Sequence, residues 1–340
     1  MKLPLLVIAG PTGVGKTAVA VALGARVPLE VVSADSRQVY RFMDVATGKP
    51  TPAERAAVPH HLIDVVDPDD RYQAARFRRD AAALIADIHR RGRLPTVVGG
   101  TGLYIRALLR GLDPAPPADP ELRRELAAVT AREGRTALHA RLAARAPAVA
   151  RRLHPHDHVR VIRALERLQA PAPSDPEADG TWARDDGEYA TVYLGLTMRR
   201  EALATRLAAR AAAMVETGLA AEVDALLRRG YGPELSAMQG IGYREFVQVV
   251  HGSLSTAEAL ALMQRETVRY AKRQGTWFMR EPGIEWLDVE GEDATATAAR
   301  IESRLTSSGG LGVLSGGAPM SSGGLGVLSG GAPMSRGEAT

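Results

Sequence analysis

No cysteine occurs in the 340 residues. This excludes disulfides, thiolate zinc sites and a cysteine nucleophile, and makes a reducing compartment, the cytoplasm, the expected location. Nor is there an apolar run long enough to span a bilayer. The N-terminal stretch LPLLVIAG is too short, follows a single lysine and leads into a glycine motif rather than a small-residue cleavage site. It therefore reads as a buried strand, and no membrane association is expected. A strong excess of one charge is missing too, since the formal net charge is only +4. That surplus is uneven: Glu121 to Arg167 holds 11 Arg against five acids, a local balance of +6. Such a segment can neutralise phosphates and steer a polyanion, although a solvated arginine-rich face is the plainer alternative.

What is present is enough apolar residue, 45% of the chain, for one large core or two modest ones. The opening reads as a strand (Leu5 to Ala9), a glycine loop (Gly10 to Lys16), a helix (Thr17 to Arg26) and a second apolar run (Glu30 to Ser33) ending at Asp35. A helix-like stretch, Ala74 to Arg91, leads to Leu94 to Val98 and then Gly99-Gly100-Thr101-Gly102, again strand into glycine turn into helix. Alternation of this kind predicts an α/β fold, a parallel sheet with helices on both faces, with ligands collecting at the carboxyl ends of the strands. The proline-rich segment 113–120 and the Pro-, Asp- and Gly-rich segment 171–187 bracket Arg-rich helices that read as an insertion. The sheet is expected to resume with Ala190 to Leu196, and helices to cover Arg199 to Arg229 and Ser255 to Met279. The expected division is a catalytic core at 1–113, a helical insertion at 114–189, a second core part at 190–306 and a tail at 307–340. That tail repeats a glycine-rich 14-residue sequence twice and has too little to bury for a solenoid, so it reads as a disordered appendage.

The strongest chemical signal is Gly10-Pro-Thr-Gly-Val-Gly-Lys-Thr17, a P-loop in the required context of strand end and helix start. Gly10, Pro11, Thr12, Gly13, Val14 and Gly15 form a loop whose backbone N–H groups, Pro11 having none, can turn around phosphate oxygens; Lys16 adds a point charge, and the Thr17 hydroxyl can ligate Mg²⁺. This pattern specifies a diphosphate or triphosphate site without naming the transferred group. A P-loop hydrolase usually carries an apolar strand ending in Asp, whereas Leu94 to Val98 ends in Gly-Gly-Thr. Asp35, at the end of the strand after the P-loop helix, is placed instead to take a proton from an acceptor. The competing reading makes it a turn or N-cap residue. These features alone suit a small-molecule kinase equally well.

Further blocks follow in order: Asp35-Ser36-Arg37-Gln38-Val39-Tyr40, Thr47-Gly48-Lys49-Pro50, His60-His61-Leu62-Ile63-Asp64, Gly99-Gly100-Thr101-Gly102-Leu103-Tyr104, Arg163-Ala164-Leu165-Glu166, Gly240-Ile241-Gly242-Tyr243, and Lys272-Arg273-Gln274 with Thr276-Trp277-Phe278. With the P-loop they resemble the tRNA dimethylallyltransferase family over roughly residues 4 to 290. The resemblance implies a P-loop NTPase-like fold in which the loop holds dimethylallyl diphosphate with Mg²⁺ and no nucleotide is hydrolysed. It implies that Asp35 is the general base on adenine N6, that Lys16 and Thr101 belong to the catalytic set, and that Arg210 helps hold the diphosphate. A helix-surface role for Arg210 is the alternative. It also implies tRNA contacts from Asp35, Ser36, Arg37, Gln38, Thr101 and Arg123. Further contacts fall on Val159, Arg160, Val161, Ile162 and Arg163, on Gln239, Gly240, Ile241, Gly242, Tyr243 and Arg244, and on Lys272, Arg273 and Gln274. The expected acceptor is a tRNA anticodon stem-loop, unstacked at the target adenosine, and the expected state is a monomer.

His60 and His61 read as hydrogen-bonding residues of the fold rather than catalysts. The chain departs from the family pattern at Val159, where an amide is usual, in the Gln-Ala-Pro-Ala-Pro-Ser run after Leu168, at Gly275, where an aliphatic residue is usual, and at Met279, where Arg is usual. Prenylation of free adenine nucleotides, as in cytokinin-forming relatives, is the rival enzyme reading; the basic insertion and the 272–279 stretch argue against it.

Overall fold

The computed structural model describes residues 2–112, 119–169 and 188–307. The 14-residue repeats and both proline-rich breaks, where the disordered tail and the linkers are expected, fall outside or at the margins of those ranges. Six strands form one sheet: β1 (Leu3–Ala9), β2 (Leu29–Ser33), β3 (His60–His61), β4 (Leu94–Gly99), β5 (Tyr189–Thr197) and β6 (Glu285–Asp288). Their order is β3-β2-β4-β1-β5-β6, and every pairing is parallel. The expected parallel α/β sheet is therefore present.

Strand β1 lies at the centre, with Leu6 opposite Thr96 on one side and Val192 on the other. Its side chains alternate between the two faces, as the pleat requires. Leu5, Val7 and Ala9 join one apolar cluster, Leu6 and Ile8 the other. Burial on both faces explains why the sequence there is continuously apolar. The first cluster is completed by α3 (Ala74–Arg90), α4 (Gly102–Arg110), α10 (Leu219–Arg228), α11 (Tyr243–Val250) and α12 (Thr256–Phe278). The second is completed by α1 (Lys16–Gly24) and α13 (Ala294–Ser307). Helix α12 begins where Ser255 accepts from the Glu258 amide while the Glu258 carboxylate accepts from the Ser255 amide, a reciprocal N-terminal cap. The same device, built on Thr51 and Glu54, starts the short α2 (Pro52–Ala57). The helical stretch expected over Arg199–Arg229 is divided into α9 (Arg200–Glu216) and α10, because Gly218 takes a φ of 104° that ends one helix and opens the next.

The arginine-rich segment folds as α5 (Pro120–Glu133), α6 (Ala137–Arg145), α7 (Pro147–Arg152) and α8 (His158–Gln169). These helices bury a cluster of their own: Leu122, Leu126 and Val129 meet Leu138, Leu142, Val149, Val161 and Leu165. At its edge the Glu166 side chain, 1% exposed, takes Arg123 Nε at 2.6 Å and Arg163 Nη1 at 2.9 Å. Among the described residues, no helix is long and apolar enough to cross a membrane.

Candidate active site

The P-loop leaves the carboxyl end of β1 and runs into α1, whose first residue is Lys16. Gly10, Gly13 and Gly15 all have positive φ, so the loop folds back over its own start. Lys16 Nζ donates to Gly10 O at 2.9 Å and Pro11 O at 2.8 Å. Burial pushes its ammonium down to about 8; the Asp35 carboxylate opposes that shift, and Arg210 adds to it. The half-buried Arg210 guanidinium is displaced downward as well, first by loss of water, with Asp35 pulling it back up and Arg206 pushing it further down. A cationic pair thus faces Asp35 in a poorly hydrated space.

Asp35 follows β2. Its Oδ1 accepts from the amides of Arg37 at 2.8 Å and Gln38 at 3.3 Å, so the turn role weighed for it is real; the carboxylate also lines the cavities beyond. The two roles coexist because a carboxylate has four acceptor positions and the turn uses two. Thr101 stands behind this turn. Its Oγ1 accepts from Ser36 N at 3.0 Å, while the adjacent Gly100 reaches the cavity wall. Gln38 accepts from Ser33 Oγ at 3.0 Å and donates to Gly48 O at 3.2 Å, and Arg37 donates to Ser236 O at 2.8 Å.

Two adjoining cavities share Thr12, Lys16, Asp35, Thr47 and Arg210. One, about 390 Å³, is bounded by Gly13, Gly15, Thr17, Lys49, Glu54 and Arg206, and Lys16, Arg206 and Arg210 supply it with the cations a diphosphate needs. The other, about 320 Å³, has an apolar wall of Leu207, Ala211, Met214, Ile241 and Met263 and a polar side of Ser36, Arg37, Gln239, Arg244, Tyr270 and Arg273. Gly48 brings its backbone against the Arg210 guanidinium so closely that a Cβ there would lie 1.7 Å from Nη2.

Most residues anticipated from sequence converge here. Thr12, Gly13, Gly15, Lys16, Thr17 and Arg210 line the cavities, as do Ser36, Arg37, Gln38, Gln239, Gly240, Ile241, Tyr243, Arg244, Arg273 and Gln274. Arg210 is therefore not a helix-surface residue. Gly10, Pro11 and Val14 shape the loop, Val14 from a buried position, and the Gly242 amide donates to Glu245 Oε2 at the start of α11. Arg123 and Val159 to Arg163 lie apart, on α5 and α8 of the insertion. There Val161 is buried and Val159 is 80% exposed, while Arg160 lies 3.6 Å from Asp157. Arg206 was not anticipated, although its spacing of four from Arg210 places both on one helix face. His60 and His61 are hydrogen-bonded within the fold, to Val58 O and to Glu30 Oε2.

Fold and site together define a phosphate-loop protein whose loop opens onto an apolar-walled chamber holding an isolated carboxylate. The chain belongs to the IPP transferase family: the model of that family matches residues 38–281, and one described as isopentenyl transferase matches residues 3–64. It is 52% identical over 291 residues to tRNA dimethylallyltransferase 1 of Syntrophotalea carbinolica, covering 86% of this chain and 93% of that one. It is 49% identical over 300 residues to the tRNA dimethylallyltransferase of Anaeromyxobacter dehalogenans, covering 88% and 99%. Among solved structures, the tRNA isopentenylpyrophosphate transferase of Bacillus halodurans superposes with a TM-score of 0.67 at 39% identity, covering 92% of this chain and 98% of that one. A eukaryotic dimethylallyltransferase acting on tRNA gives 0.73 at 28% identity, covering 90% and 80%.

Proposed function

We propose that this chain is a tRNA dimethylallyltransferase, moving the dimethylallyl group of dimethylallyl diphosphate to N6 of the adenosine immediately 3′ of the anticodon. The observation that carries this reading is the pairing of the two cavities, one cationic and one apolar-walled, across the carboxylate of Asp35, the one acidic side chain that lines both. The adenine N6 lone pair attacks C1 of the dimethylallyl group, the C1–O bond breaks, and its electrons leave with the diphosphate. Asp35 accepts the N6 proton. Lys16, Arg210 and Arg206 bind the diphosphate and offset the charge that develops on it, and the walls from Leu207 to Met263 hold the isoprenoid tail away from water. Mg²⁺ fits the donor set: the Thr17 hydroxyl and diphosphate oxygens are the hard ligands it prefers, and the described residues contain no cluster of His, Cys, Asp and Glu that would hold an ion without substrate. When bound, it neutralises the leaving diphosphate. The arginine surplus of α5 to α8 suits an RNA backbone.

Labelled dimethylallyl diphosphate incubated with an anticodon stem-loop or with AMP tests this reading. Label should enter the stem-loop and not AMP; label in neither, with ATP turnover instead, would sink it. Asp35→Asn keeps an oxygen for the Arg37 and Gln38 amides but cannot take a proton. It should lower transfer by about 10²–10⁴ with stem-loop binding retained, and undiminished turnover would remove Asp35 as base.

A further inference from the structure

Gln274 joins parts of the site that are remote in sequence. It projects from α12 and is 7% exposed. Its Oε1 accepts from Thr12 N at 2.8 Å, and its Nε2 donates to Gly100 O at 2.9 Å. One buried amide thus spans the tip of the P-loop and the glycine turn after β4. The fit demands glycine at the far end, since a Cβ on residue 100 would lie 2.3 Å from Nε2. Thr12 belongs to the wall of both cavities. One bond from its oxygen and one from its nitrogen go to backbone, so half of this amide's hydrogen-bonding capacity is committed to holding these two turns together.

We infer that Gln274 is a positioning residue for the diphosphate. By taking the Thr12 N–H, it holds the loop tip so that the remaining loop amides converge with Lys16 on the phosphate oxygens. Because it does so from α12, the diphosphate site is braced by the same helix that presents Tyr270 and Arg273 to the other cavity. The inference rests on the proposed function only for the identity of the donor. What it asserts concerns diphosphate binding, which is read without any acceptor.

The test compares wild type with Gln274→Met, which keeps the length of the side chain but neither accepts nor donates as the amide does. Gly100→Ala displaces the amide from the opposite side and leaves α12 intact, so it reads the same contact even if the first variant fails to fold. Inorganic diphosphate with Mg²⁺ is titrated by calorimetry, and an anticodon stem-loop by fluorescence anisotropy. The Kd for diphosphate should rise roughly tenfold in each variant, the upper scale of one lost neutral hydrogen bond that holds the loop tip, while the stem-loop Kd moves less than about twofold. The double variant should be little weaker than the weaker single one, because both changes break one contact. Unchanged diphosphate affinity in either folded variant would overturn the inference. So would a loss confined to the stem-loop, which would make Gln274 an RNA contact, or fully additive losses. Wild-type protein that binds diphosphate yet transfers nothing to the stem-loop would defeat the proposed function and leave this comparison standing.

Discussion

Replacing Lys16 with methionine should destroy diphosphate binding and yet relieve the fold of a cost, and the relief should depend on pH in a calculable way. The ammonium sits at about 8 in the folded chain against 10.5 for an unperturbed lysine, so folding expels its proton between those limits. The charged form is therefore disfavoured by about 3 kcal/mol, a cost fully present below pH 8 and withdrawn as the pH climbs toward 10.5. Methionine does not titrate. Between pH 8 and 9.5 the wild type should consequently gain about 1.5 kcal/mol on the variant, other groups cancelling in the difference. At pH 7 the relief of about 3 kcal/mol is offset by two lost hydrogen bonds, to Gly10 O and Pro11 O, of about 1 kcal/mol each. The variant should then be about 1 kcal/mol the more stable. Urea unfolding followed by tryptophan fluorescence at several pH values measures this directly. A stability difference that stays flat between pH 8 and 9.5 would show that Lys16 is not desolvated as its burial implies.

Gly48→Ala should move Arg210, because the new Cβ would occupy the place of its guanidinium, and should strain a backbone held at φ 57°. The Kd for diphosphate should rise about tenfold, with about 1 kcal/mol of stability lost; an unchanged Kd would mean that Arg210 does not touch the donor. Glu166→Gln removes the charge that Arg123 and Arg163 enclose and should cost about 2 kcal/mol, read by thermal or urea denaturation. Burial works to raise the Glu166 carboxyl, but hydrogen bonds from Arg123 and Arg163 overcome it and hold the group below its ordinary 4.5. Its contribution should accordingly be complete above pH 4.5 and fade as the pH drops further; a wild type and variant equally stable at pH 7 would refute this.

The parts of the fold that were legible in the sequence are those whose physics is local. Strand β1, the loop and α1 announce themselves by a continuous apolar run broken by glycines, and α12 by the Ser255 and Glu258 cap. The edge strands β3 and β6 and helix α13 carry no such mark. Two residues, His60 and His61, cannot display a period, and β6 exists because Leu194 to Thr197 offer an open edge to Glu285 to Asp288. The site divides along the same line. Residues contiguous in sequence, Gly10 to Thr17 and Asp35 to Gln38, could be named from their order, whereas the apolar wall from Leu207, Met214 and Met263 is made only by packing α9 against α12. Gln274 shows the limit most clearly: the family resemblance implies an RNA contact for it, whereas its bond to Thr12, 262 residues away, is a pairing that no local pattern displays.

The insertion buries its own apolar cluster, from Leu122 to Leu165, and shares no member of it with the two clusters that sandwich the sheet. A void opened at Leu142 weakens the packing of α5 to α8 without removing a neighbour from Leu6 or Ile8, and a void at Ile8 spares the insertion in the same way. Mutational load is thus compartmentalised. Arginines on the insertion can be exchanged during evolution at the expense of that module's own stability margin, while the margin that keeps the phosphate loop in shape is left untouched.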